Sequence, residues 1–150
     1  MHDLVVIALT SPIIIGVYKD NKLVERIESE ERSSEILPSL FKTLLEKYEI
    51  KNIIYANGPG SFMAIKVSYI FLRTLSIVKN ITLLATDAFY FNNNTPIKAV
   101  GKLYFVKNRD AIETVTLLEA PIMEFTLPQE LKLEDFSSDS APFYGIGAVG

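Results

Sequence analysis

The chain has 150 residues, a net charge of −3 and a mean hydropathy of +0.23, with 49% apolar and 22% charged residues. That length allows a real hydrophobic core in one domain or one and a half, and that composition excludes global disorder. An acidic balance without a Lys/Arg cluster disfavours autonomous RNA binding, which draws much of its affinity from neutralising phosphates.

No apolar run reaches the roughly 18 to 20 residues that a membrane-spanning helix needs. The segment Phe62 to Val78 comes closest, and Lys66, Ser68, Arg73, Thr74 and Ser76 interrupt it. The N-terminal stretch lacks a basic region and carries Asp3, so it reads as a buried strand rather than a signal peptide. With no cysteine, there is no disulfide framework, thiolate nucleophile or zinc-thiolate site. A cytoplasmic protein, without a membrane partner, is the expectation.

Asp3 to Leu9 is a nearly continuous apolar run, the pattern of a central strand buried on both faces. Thr10-Ser11-Pro12 breaks it, Ile13 to Tyr18 is a second β-branched run, and Lys19 to Lys22 is a polar hairpin turn. Leu23 to Glu28 then alternates, which completes an antiparallel meander. From Ser34 to Tyr48 the period changes: Ile36, Leu37, Leu40, Phe41, Leu44, Leu45 and Tyr48 keep helical spacing. Ser33 or Ser34 is the expected cap and Pro38 is expected near the first turn, where its missing N–H costs little. Lys51 to Ala56 is a strand, Asn57 to Gly60 a sharp turn, and a second helix runs to about Lys79, followed by a strand at Ile81 to Ala85. The order is β-β-β-α-β-α-β. The polar stretch Asn92 to Pro96 marks a boundary, giving an N-terminal lobe of residues 1–91 and an abbreviated C-terminal lobe of residues 92–150. In that lobe Ala99 to Lys107 and Ala111 to Leu118 are expected as the two strands of a hairpin.

The most specific element is Asn57-Gly58-Pro59-Gly60-Ser61-Phe62, between a strand and a helix. Its glycines permit a tight turn, and the helix start that follows offers free N–H groups and a positive dipole end. Contact with a phosphate or nucleotide through Asn57 to Ser61, and a plain turn with Ser61 as cap, both fit. No Gly-Lys-Ser/Thr follows, so it is not a Walker A loop. The rest of the catalytic inventory is thin. The only histidine is His2, at a terminus expected to be mobile. Asp87, just after a strand, is the best-placed acid, but one acid is not a metal site. Neither a catalytic residue nor a metal ligand is assigned, and a peptidase-like triad lacks its usual members.

The second helix carries two apolar stripes. Met63, Val67, Ile70, Phe71, Thr74 and Val78 form one, and Phe62, Ile65, Tyr69, Leu72 and Leu75 form the other. One stripe docks the helix on a sheet. Leaving the other in water forgoes roughly 1.5 to 3 kcal/mol per large side chain. Either the first helix covers it, or it faces another subunit.

Three motifs in this order resemble the TsaB (YeaZ) family over residues 3 to 90. Members show a first strand ending in Asp-Thr-Ser, a His-Ser-Glu stretch opening helix one, and Gly-Pro-Gly-Ser-Phe-Thr-Gly-Leu-Arg opening helix two. Thr10-Ser11, Ser34-Glu35 with Leu37-Pro38, and Gly58 to Phe62 match these. Leu9 replaces the aspartate, Ser33 the histidine, and Met63 to Lys66 the Thr-Gly-Leu-Arg run. The resemblance implies an ASKHA, RNase H-like α/β fold: a mixed sheet with flanking helices and a shortened second lobe. It implies a non-catalytic scaffold in the complex that forms threonylcarbamoyladenosine next to the anticodon of tRNA. Such a scaffold pairs with the catalytic subunit TsaD, with TsaE joining and self-pairing as an alternative. It meets tRNA only through the complex, and has no cofactor of its own; ATP or ADP and a metal belong to the partner complex. Ile36, Leu40, Leu44, Phe62, Ile65, Tyr69, Leu72 and Leu75 are the expected interface. The alternative is an ASKHA-class nucleotide-binding enzyme using Gly58 to Ser61 on phosphate.

Overall fold

The computed structural model describes residues 1–145. Strands β1 (His2–Ile7), β2 (Ile13–Lys19) and β3 (Lys22–Ser29) lead into helix α1 (Ser33–Lys47). Strand β4 (Ile50–Ala56), helix α2 (Phe62–Lys79) and strand β5 (Thr82–Thr86) follow. Beyond a 3-10 turn at Ala88–Phe91 come β6 (Ile97–Val100), β7 (Leu103–Asn108), β8 (Ala111–Thr116) and a short 3-10 turn at Leu133–Asp135. The strands make a five-stranded sheet in the order β3-β2-β1-β4-β5 and a three-stranded sheet in the order β6-β7-β8. In the larger sheet β1 pairs antiparallel with β2 and parallel with β4, so it is the strand at which the direction of the sheet changes.

The continuous apolar run of β1 follows from that central place. Leu4, Val6 and Ala8 point into one core; Val5, Ile7 and Leu9 point into a second on the opposite face. The first core is closed by Leu37, Phe41 and Leu44 of α1 and Leu72 of α2. The second is closed by Ala88, Phe89 and Phe91 of the 3-10 turn, Ile97 and Phe105 of the small sheet, and Phe125 and Leu131 beyond it. The segment after residue 92 therefore shares an apolar core with the first sheet. Both edges of the large sheet are clipped by the same distal segment. Leu23 on β3 donates to Gln129 O at 3.0 Å, and Ala85 on β5 exchanges two backbone hydrogen bonds with Ser137. Each edge is thus bridged at one point, Lys22 with Glu130 on β3 and Ala85 with Ser137 on β5, which shortens the bare edge open to pairing with other chains.

Four local expectations are corrected. Helix α1 starts at Ser33 itself, with Arg32 in the capping position and no side-chain cap bond. Pro38 lies inside that helix, beyond the first turn. The expected strand from Ala99 to Lys107 is broken at Gly101, whose φ of +57° turns the chain, so β6 and β7 are separate and the small sheet has three strands. His2 is anchored: its backbone N–H donates to Glu49 O at 2.8 Å and its ring packs 4.5 Å from that of Tyr48. Helix α2 is capped as expected by Ser61, which accepts a long 3.5 Å bond from Ala64 N, and ends at Asn80 in left-handed backbone. Among the described residues no helix is long and apolar enough to cross a membrane.

Two tyrosines tie the distal segment to the sheet. Tyr18, fully buried, donates to Pro128 O at 2.6 Å, and Tyr55 donates to Ser140 O. Burial raises both phenols well above their ordinary 10.0. A raised folded value means the native state holds protons that the unfolded chain releases, so this stability is present below about pH 10 and is lost as pH climbs toward the folded values. Urea titrations across the alkaline range should show a steep loss that Tyr18→Phe with Tyr55→Phe flattens. Near neutral pH each substitution should cost about 1 to 2 kcal/mol by orphaning a carbonyl, that of buried Ser140 or of half-buried Pro128.

Candidate functional site

Because β3, β1 and β4 run in one direction, the loop after β1 and the starts of α1 and α2 gather at one end of the sheet. Ligands in open α/β sheets bind at this carboxyl end where the strand order reverses, which in this sheet is between β1 and β4. Thr10, Ser11, Ser33 and Ser61, drawn from the three motifs, line one groove of about 510 Å³ together with Arg32, Met63 and Val67. Ser11 is committed, since its hydroxyl donates to Glu30 O at 3.0 Å. Leu9 is 1% exposed and belongs to the core. Its Cβ lies 3.0 Å from where a side chain on Gly60 would begin, so at Gly60 the turn passes against hydrocarbon rather than an acid.

The glycine turn is occupied by the chain itself. Asn57 Nδ2 donates to Ala141 O at 3.0 Å, Phe143 N donates to Asn57 O at 2.7 Å, and Ala88 N donates to Gly58 O at 2.8 Å. Gly58 has φ +125°, and a Cβ there would stand 1.8 Å from the carbonyl oxygen of Phe143. Ser61 N donates to Leu9 O at 3.3 Å. Of the candidate phosphate loop, Asn57 and Gly58 are thus covered by the residue 141–143 strand of chain. Pro59, Gly60 and Ser61 border a second cleft of about 280 Å³, whose other walls include Thr10, Lys98 and Phe125.

The acids have structural partners. Asp87 accepts from Phe89 N at 3.0 Å and pairs with Lys107 at 2.5 Å, which fixes the turn after β5 against β7. Glu25 is held below the usual carboxylate range by hydrogen bonds from Tyr48 and Lys47. Among the described residues no three acids or histidines lie close enough together to hold a metal ion.

The expected interface residues divide. Ile65 and Leu72 are 0% exposed and Leu44 is 2% exposed, so these three are interior residues, a correction to their placement on a partner-facing stripe. Ile36, Leu40, Tyr69 and Leu75 are partly buried against the helix-side core. Tyr69 stacks on Tyr55 at 6.1 Å, and Phe62 packs 4.5 Å from Tyr144 of the distal segment. The outward stripe is the other one. Met63, Ile70, Ile77 and Val78 are 61%, 54%, 67% and 71% exposed. With Val67 and Thr74, the positions Met63, Ile70 and Ile77 make a four-three spacing along the helix, the seam of a coiled coil. Both stripes are apolar, so periodicity alone cannot choose between them. A usable signal was Ser68 and Ser76: both are small, buried and bonded back to helix carbonyls, which lets α2 approach the sheet on their side.

No protein-family model and no curated protein sequence matches the chain. YeaZ from Pseudomonas aeruginosa matches in structure over 88% of this chain and 69% of its own, with a TM-score of 0.57 and 12% identity. A second solved structure, described as an uncharacterized protein with similarity to peptidase YEAZ from Pseudomonas aeruginosa, matches over the same shares with a TM-score of 0.54 and 12% identity. The mixed sheet with its change of direction at β1, two helices on one face and a shorter distal part on the other, is the ASKHA-type, RNase H-like α/β fold of YeaZ.

Proposed function

We infer that the chain is a TsaB-like scaffold subunit. It pairs with a TsaD-like catalytic subunit, with TsaE joining, in the complex that forms threonylcarbamoyladenosine in tRNA, and carries no chemistry of its own. The observation that supports this reading is the outward stripe of α2, apolar and uncovered on a fold shared with YeaZ. Leu9 in the core, in the place of the family's first-strand aspartate, supports a non-catalytic role.

Co-expression with the TsaD of the same genome tests the reading. The wild-type chain should co-purify with TsaD, and Ile70→Asp should abolish this while leaving the chain folded. If the wild-type chain fails to co-purify, the scaffold reading falls; if Ile70→Asp binds normally, only the interface does.

A second reading draws support from the cleft beside Pro59, Gly60 and Ser61, which has Lys98 on its far wall. In it the chain binds a nucleotide by its phosphates. Calorimetric titration with ATP or ADP decides: binding with turnover by the isolated chain would replace the scaffold reading.

A further inference from the structure

Strand β3 is an edge of the large sheet and pairs on one side only, with β2. The distal segment covers the start of its free side: Leu23 N donates to Gln129 O, and Leu131 N donates to Asn21 O at 2.7 Å. From Val24 to Ser29, no backbone group bonds to the backbone of any described residue outside β2. The groups of this stretch that point away from β2 are a template for one more strand.

Beside the edge, on the face away from the helices, lies a groove of about 490 Å³. Its apolar lining includes buried Ile14 and Phe125 and half-buried Met123, and Glu28, Glu30 and Glu124 stand exposed around it. Arg26 also borders it and is spent on Glu28, at 2.5 Å. Among the described residues Glu30, Glu31 and Glu124 have no cationic partner. Between Val24 and Glu31 the edge thus carries Glu25, Glu28, Glu30 and Glu31 against Arg26 alone.

We propose that the free length of β3 accepts a basic, extended segment of a different polypeptide as an added strand, with its basic side chains meeting Glu28, Glu30 and Glu124. This goes beyond the scaffold reading and uses a surface separate from the outward stripe of α2. In strand addition main-chain hydrogen bonds supply affinity, and alternate side chains supply specificity. Residues two apart on the added strand fall on the groove side, which is the spacing of Glu28 and Glu30. Opposite charges across a strand pair attract, and like charges repel. A second copy of β3 would bring its own four glutamates to the same edge, so the charge favours a foreign, basic strand over self-pairing.

Peptides of about eight residues, enough for one strand, test this. One alternates Lys with Val, a second has Glu in place of Lys, and a third is the Lys peptide N-methylated at every residue. Fluorescence anisotropy with the full chain should show the Lys peptide binding about ten-fold tighter than the Glu peptide or better, and the methylated peptide not binding. Hydrogen exchange should show protection by the Lys peptide within Val24 to Ser29. Glu28→Lys with Glu30→Lys should reverse the order of the two unmethylated peptides. Equal affinity for both, binding of neither, binding that survives methylation, or protection confined to other strands would overturn the proposal. A free chain that dimerises with protection of the same stretch would overturn it in favour of self-pairing.

Discussion

Leu72→Asp is expected to abolish folding, whereas Ile70→Asp, two residues away on the same helix, should melt within a few degrees of wild type. Leu72 is 0% exposed in the core between α1, α2 and the sheet, while Ile70 is 54% exposed. A carboxylate at position 72 meets only hydrocarbon, and an unpaired buried charge costs about 3 to 5 kcal/mol or more, a large part of the 5 to 15 kcal/mol available to a domain. Ile65→Asp should behave like Leu72→Asp, since Ile65 is also 0% exposed and lies against the Gly58 turn. A milder Leu72→Ala should cost about 2 to 5 kcal/mol through lost burial and the cavity left behind. Thermal melts followed by circular dichroism check the series. A folded Leu72→Asp would show that α2 does not dock through this face.

Gly58→Ala should destabilise the chain by about 2 to 4 kcal/mol, from two separable causes. The first is the backbone: φ +125° lies in a region that side chains avoid. The second is contact, since the new Cβ would sit 1.8 Å from the carbonyl oxygen of Phe143. The distal segment must lift away, which breaks the Phe143 N to Asn57 O bond of 2.7 Å. Limited proteolysis should then cut near Phe143 and Tyr144 faster than in wild type. Removing the residues from Phe143 onward should relieve the contact part and leave the backbone part, so Gly58→Ala should cost less in the shortened chain. An undiminished cost there would assign the whole effect to φ.

Much of the fold was legible because local patterns and tertiary demands agreed. The unbroken apolar run of residues 4–7 belongs to a strand covered on both faces, and the alternation of β3 belongs to an edge strand. The strand-turn-helix at Asn57 to Phe62 was readable because Gly58 and Ser61 each answer a backbone need, a positive φ and a helix cap. Less was legible where one residue decided. Gly101 turns a run of β-formers into two strands, and nothing in the flanking pattern marks it as a turn rather than a strand glycine. His2 looked like a free terminus because its hold on Glu49 and Tyr48 spans more than 40 positions of chain.

The sequence by itself determined that α2 carries more apolar surface than one docking face can use, and that histidine and cysteine chemistry has almost no participants. It also determined the order of strands and helices, because hydrophobic period is a property of neighbours along the chain. Only the tertiary structure decided which stripe of α2 faces out. The two stripes have equal claims by periodicity, and the choice falls to packing: Ser68 and Ser76 let one side settle close on the sheet, leaving Met63, Ile70 and Ile77 to solvent. It also decided that the glycine turn is covered by residues 141–143, a contact across more than 80 positions that no local pattern encodes.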